Sequence, residues 1–262
     1  VFINCDPNAA DFLGPLEHIS EPLGAYDLAN AKVAHRKTYK IGANWKLVLE
    51  NYLECYHCAT SHRAYAKLHT FKDLHEKVAP IVEALLERSD EVTGVPGMSK
   101  QYTKIYRDAH GFGACVHTMR YGLFDGNVTG SRDGQPVAPL MGNIKDYDGG
   151  AGDYQMGPLT FMLNYPDHCV LYRFLPRSLT ETDVELVWFV RGDAEDGKDY
   201  KREDVVWLWD HTTQEDEYII LRNNAGVNSR FFEPGPYHPE FEATLQKFVC
   251  WYLHSLEKAS HA

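Results

Sequence analysis

Three short apolar runs, at 159–165, 169–175 and 184–191, follow one another with little more than a Pro166-Asp167 turn, Pro176 and a few polar residues between them. Connections this short cannot hold a crossover helix, so the three segments must pair antiparallel, as a meander. The rest of the chain has to be built on that sheet. Further strand candidates lie at 1–6, 101–106, 114–124 and 31–41, the last with Val33, His35, Lys37, Tyr39 and Ile41 on one side. Residues 7–30 read as loop around Pro7, Gly14, Pro15, Pro22 and Gly24, and residues 126–157 as a long excursion of the kind that caps a site. Helical periodicity covers 45–59, with Asn44 as N-cap, then 64–87 interrupted at Pro80, and finally 203–222 and 240–256. The length fits one large domain or two small ones.

A formal charge of -11 leaves no basic face for phosphates or anionic headgroups, which argues against nucleic acid and membrane as partners. No apolar run reaches the roughly 18–20 residues of a membrane span, and the expected location is cytoplasmic. The six cysteines, at 5, 55, 58, 115, 169 and 250, are irregularly spaced and read as reduced thiols.

Ligand chemistry concentrates in the helix at 45–59 and its exit. Trp45, Val48, Leu49, Tyr52, Cys55, Tyr56 and Ala59 form its apolar stripe, while Glu50, Glu54 and His57 gather on the opposite side. His62 follows His57 by five residues, about 140° around a regular helix, so the two imidazoles can share an ion only if the helix ends or distorts near 59–61. In the helix at 203–222, Asp216 falls at the centre of the stripe made by Val205, Leu208, Trp209, Thr212, Ile219 and Ile220. Asp210 and Glu217 point away, and Glu215 lies at the edge. A carboxylate facing a core needs a cation, a metal or several donors. Two imidazoles and a distant carboxylate match a non-haem Fe(II) site; a plain salt bridge at Asp216 is the competing reading. Cys55-x2-Cys58 is half of a structural zinc site without a second half. Cys115-Val116-His117 likewise imitates half of a Rieske motif with no Cys-x2-His following, so the chain carries no cluster of its own.

Together, Asn44-Trp45-Lys46, the run Glu50-Asn51-Tyr52-Leu53-Glu54-Cys55-Tyr56-His57 with His62, the late Glu215-Asp216, and the strand-and-proline rhythm of 159–191 resemble the catalytic domain of Rieske-type non-haem iron oxygenases. The resemblance implies an α+β helix-grip fold, an antiparallel sheet wrapped around long helices. It implies that residues 1–262 form one catalytic domain, with a Rieske [2Fe-2S] domain expected upstream of Val1. His57, His62 and Asp216 would hold a mononuclear Fe(II), and Glu54 would be the acid that bridges to the cluster of a neighbouring subunit in a homotrimer. Dioxygen would be the oxidant, and electrons would come from NAD(P)H through a separate reductase or ferredoxin. Arg63 replaces the proline common after the second histidine. Glu54, where ring hydroxylators often carry Asp, is similar to the subgroup acting on carnitine, choline and betaines.

The expected reaction is hydroxylation or oxidative N-demethylation of a small substrate, possible classes being a betaine or another quaternary ammonium compound. Aromatic-ring cis-dihydroxylation and a metal-free helix-grip ligand carrier are the alternatives. Phe161, Tyr165, Tyr172, Phe174 and Trp188 are candidates for a cation-binding cage, with core packing as the competing explanation.

Overall fold

The computed structural model describes residues 13–105 and 115–260; the strand expected at 1–6, the end of that expected at 101–106, and the thiols of Cys5 and Cys115 fall outside the described residues. In chain order the elements are α1 (Leu13–Gly24), β1 (Lys32–Ile41), α2 (Trp45–Leu53), α3 (Cys58–Ser61), α4 (Arg63–Leu68), α5 (His75–Thr93), β2 (Tyr102–Ile105), β3 (Cys115–Gly122), β4 (Gly150–Met156), β5 (Thr160–Asn164), β6 (Cys169–Pro176), β7 (Thr182–Val190), α6 (Arg202–Val227) and α7 (Ala243–Ser260).

The seven strands form one sheet in the order β1-β7-β6-β5-β4-β3-β2, and every neighbouring pair is antiparallel. The meander expected at 159–191 is its centre. β7 is buried along nearly its whole length and apolar from Leu186 to Val190, because both of its faces are covered. Residues directly opposite across strand pairs share a face, and these rows divide the interior in two. Tyr121, Ala151, Leu163, Val170 and Trp188 look toward α2, α4, α6 and α7. Val116, Met156, Met162 and Cys169 look the other way, onto α1, Tyr26, Met98, Met141 and Ile144. The result is the α+β helix-grip arrangement, with α6 packed on α2, α4 and β1.

Three segments depart from the sequence reading. Residues 13–24 are helical despite Pro22, and α5 runs through Pro80. Within the excursion expected at 126–157, residues 150–156 form the central strand β4. Two of its seven residues are glycines, which masks it in the sequence. A Cβ on Gly150 would lie 2.6 Å from Arg120 Nη2 and 2.7 Å from Leu85 Cδ1, so any larger residue would have to displace one of these side chains.

What ties the remaining loop, 123–149, to the sheet is a buried ion pair between Arg120 on β3 and Asp148. Asp148 also accepts from Ser89 Oγ at 2.8 Å and from the Gly150 amide at 3.0 Å, and Arg120 Nη1 reaches Met98 Sδ at 3.2 Å. Removing one partner of such a pair leaves the other charged and dry. Arg120→Met is therefore expected to lower stability by about 3–5 kcal/mol, measured by urea unfolding followed by circular dichroism.

Candidate metal centre

α2 starts where expected, with Asn44 Oδ1 accepting from the Lys46 amide at 3.0 Å. It does not run to residue 59. Leu53 is its last residue, because Glu54 adopts an extended backbone (φ -125, ψ 154) and its carboxylate caps the Tyr56 amide. Four residues later the chain turns back into α3, and His62 (φ -114, ψ 75) separates α3 from α4. The break comes earlier than the expected 59–61, and it removes the helical angle between the histidines. Their Nε2 atoms lie 2.9 Å apart.

The same turn corrects the reading of the cysteines. With the Cys58 amide hydrogen-bonded to the Cys55 carbonyl and the Cα atoms 5.0 Å apart, the two sulfurs are joined in a disulfide, whereas Cys169 and Cys250 are free. Cys58 Sγ stands within 4.8 Å of ligand atoms of both histidines, but as half of a disulfide it is not a zinc-binding thiolate.

α6 brings the carboxylate. It is fixed against the sheet by Thr213 Oγ1, 2.9 Å from the Tyr172 hydroxyl, and by Asp210, which takes Lys37 Nζ at 2.5 Å and the Tyr39 hydroxyl. One turn beyond Thr213, Asp216 Oδ1 lies 3.2 Å from His57 Nε2 and 3.0 Å from His62 Nε2. The structure thus brings together all three residues proposed as ligands from the sequence. Glu54 stands beside them, its Oε1 accepting from His57 Nδ1 at 2.6 Å.

Two partners escaped the sequence reading. Glu215 Oε2 accepts from His62 Nδ1 at 2.9 Å, so the residue expected at the stripe's edge holds the second imidazole as Glu54 holds the first. Asn51 Nδ2 lies 3.4 Å from His57 Nε2. The signal for Glu215 was its adjacency to Asp216, which periodicity alone discounts.

Burial works against protonating His57, but hydrogen bonds to Asp216 and Glu54 outweigh it and lift its pKa to about 9. His62 is raised for the same reason, with Asp216 and then Glu215 overcoming burial. Burial would raise Asp216, yet the two histidines hold it below its ordinary value. The donor set fits a divalent ion. With each Nδ1–H given to a carboxylate, both Nε2 lone pairs and the Asp216 oxygen converge on one point, a repulsive arrangement unless a proton or a metal occupies it.

The cluster opens into a cavity with about 500 Å³ of empty space counted out to its mouth. Its aromatic wall is Tyr52, Tyr65, Phe71, Tyr121 and Trp209, and the sheet contributes Asp153 and Leu163. None of the five aromatics expected to form a cage lines it. Phe161, Tyr172 and Phe174 pack on one another and on Tyr52, Tyr165 stacks on His168, and Trp188 is fully buried.

The family model for the ring hydroxylating alpha subunit (catalytic domain) matches residues 28–258. The chain belongs to this family. Among curated relatives it is 35% identical over 247 residues to a glycine betaine monooxygenase oxygenase subunit of Pseudomonas aeruginosa (strain UCBPP-PA14), covering 94% of this chain and 56% of the relative. A protein of the same description from Chromohalobacter salexigens is 32% identical over 252 residues, covering 94% and 54%. The chain therefore spans about half the length of the curated relatives it matches. A solved quaternary ammonium Rieske monooxygenase superposes with a TM-score of 0.58 at 16% identity, covering all of this chain and 60% of that one. Naphthalene 1,2-dioxygenase from Rhodococcus sp. superposes at 0.55 and 18% identity, covering 96% and 63%. At these identities the two structures show the shared alpha-subunit fold.

The raised histidines give the centre a pH signature. In metal-free protein the stabilisation contributed by His57 is complete below about pH 6.5, the ordinary histidine value, and is lost as pH rises through about 9, whereas that of Asp216 is lost on acidification below the ordinary carboxylate range. A metal must displace those protons, so its affinity moves in the opposite sense. Titration of metal-free protein with Co(II), read by visible absorption, is expected to show at least about tenfold tighter binding at pH 8 than at pH 7, levelling above pH 9. Glu215→Gln is expected to weaken Co(II) binding by about 10–100-fold while leaving the fold intact.

Proposed function

We propose that this chain is the catalytic domain of a Rieske-type oxygenase that hydroxylates an N-methyl group of a small quaternary ammonium compound of the betaine class. The observation that carries this reading is the convergence of His57 Nε2, His62 Nε2 and Asp216 Oδ1, with both imidazoles oriented by glutamates. The substrate class draws on the relatives named for glycine betaine and on Glu54. A ferrous ion held by the three residues would supply the reduction of dioxygen.

The chain's own residues then have distinct tasks. Glu54 and Glu215 fix the tautomer and direction of the imidazoles. The aromatic wall excludes water from the substrate, and Asp216 balances the charge of the ion. Glu54, at the turn beside the exposed Tyr56, would be the acid through which electrons reach the ion. The source of those electrons would be a Rieske [2Fe-2S] cluster carried outside these residues, in a neighbouring subunit of a homotrimer, recharged by a reductase or ferredoxin that uses NAD(P)H.

The balance is one dioxygen, two electrons and two protons for each C–H hydroxylated, with one water released. The N-hydroxymethyl product breaks its C–N bond to give a tertiary amine, formaldehyde and a proton. Among the described residues no helix is long and apolar enough to cross a membrane.

With the intact protein, a reductase and glycine betaine, one formaldehyde is expected per dioxygen consumed. Glu54→Gln, assayed with enough Fe(II) to fill the centre, should lose this turnover. A well-folded protein that takes up no Fe(II) would overturn the proposal in favour of a metal-free carrier. Turnover of an arene to a diol retaining both labelled oxygens, with every betaine inert, would replace it by ring dihydroxylation.

A further inference from the structure

Glu54, His57, His62, Glu215 and Asp216 all belong to the helical side of the cavity. The sheet side carries one acidic group that this chemistry leaves unused. Asp153, in the middle of β4, lines the same cavity as His57 and Asp216 and also borders the smaller hollow beyond it, beside Met119, Gln155 and Phe161. Its Oδ1 is enclosed and has no hydrogen-bond partner. Directly across the strand pairs stand Met119 and Leu163, neither of which can neutralise it. No Lys or Arg forms an ion pair with it among the described residues.

A carboxyl group in such a place is costly to keep, and a leucine or methionine would pack better against its cross-strand neighbours. Burial pushes its pKa up to about 7, with the Tyr52 hydroxyl pulling the other way. The phenols of Tyr52, Tyr65 and Tyr121 that share its cavity are all pushed well above their ordinary value by burial, so none is a charged partner near neutral pH. The group is an acid awaiting a cation.

An onium head spreads its charge over methyl groups and offers no N–H. It is recognised only by the negative faces of aromatic rings and by the field of a nearby anion, and that field is strong where water is excluded. We propose that Asp153 is the specificity-determining residue for a quaternary ammonium substrate, seating the trimethylammonium group against its carboxylate among the rings of Tyr52, Tyr65 and Tyr121. This rests on the betaine-class reading above. The charged head is thereby anchored from β4, in the cavity that the three ligand atoms also line.

The test uses the intact protein and two probes that differ in one atom, choline and its neutral carbon analogue 3,3-dimethyl-1-butanol. Calorimetry is expected to show choline binding at least about tenfold tighter than the alcohol in the wild type. Asp153→Asn should erase that preference by weakening choline about tenfold or more, with the alcohol unchanged within about twofold. In the wild type at pH 6, choline should also remove the infrared band of a protonated carboxyl group, and the alcohol should leave it; this readout needs no variant to fold. If the wild type shows no preference for choline, the substrate class itself is wrong. A wild type that prefers choline while Asp153→Asn keeps the preference, or loses both probes equally, overturns the role of Asp153 alone. So does an infrared band that choline leaves unchanged.

Discussion

Two imidazole nitrogens and a carboxylate oxygen crowd within about 3 Å of one another, and their mutual repulsion is the constraint around which the molecule is arranged. Left to itself, the group stays together only by binding protons, which is why His57 is lifted to about 9. A cation with higher charge does the same work better, and it frees the histidines to be neutral. Holding the three groups in place before any ion arrives requires rigid neighbours on both sides, and the structure supplies them symmetrically. Glu54 holds His57 from the turn after α2, Glu215 holds His62 from α6, and Thr213 and Asp210 lock α6 to β6 and β1.

The sheet's two faces serve different ends. The face toward α1 and the 123–149 loop is closed by apolar packing and by the Arg120–Asp148 pair, both fully buried and both remote from the cavity. On the other face, the phenols of Tyr52, Tyr65, Tyr121 and Tyr172 supply bulk with few charges, and burial keeps each of them neutral. His69 belongs to the same logic. Burial lowers its pKa to about 3, so it stays neutral, stacks 4.1 Å from Tyr65 and takes a 2.7 Å contact from the Tyr165 hydroxyl. Such a wall keeps the local dielectric low, which magnifies every charge that faces the cavity.

How much of this was legible in the sequence depended on which physical signal each part carries. The strands at 159–191 and 31–41 announce themselves through apolar runs and tight turns, and Asp216 through its conflict with helical periodicity. β4 was hidden because Gly150, where Arg120 and Leu85 approach, and Gly152 stand where β-branched residues would mark a strand. The helix break at Leu53 was invisible for a different reason. Residues 45–59 keep helical periodicity throughout, and what ends the helix is a side chain capping its own backbone, an interaction that competes locally with the helix and leaves no periodic trace.

The missed break and the centre are one event. Glu54 uses Oε2 to cap the Tyr56 amide and Oε1 to hold His57 Nδ1, so the residue that stops α2 is the residue that aims the first imidazole. Were the helix continued through residue 62, His57 and His62 would lie about 140° apart and their Nε2 atoms could not meet at 2.9 Å. Helix propensity around 54–57 therefore works against metal binding, and the local structure must forgo backbone hydrogen bonds to create the site. Part of that loss is recovered by the Glu54 cap, part by the Cys55–Cys58 link that closes the turn, and the remainder by the apolar contacts of Leu53, Cys55 and Cys58 with the main core.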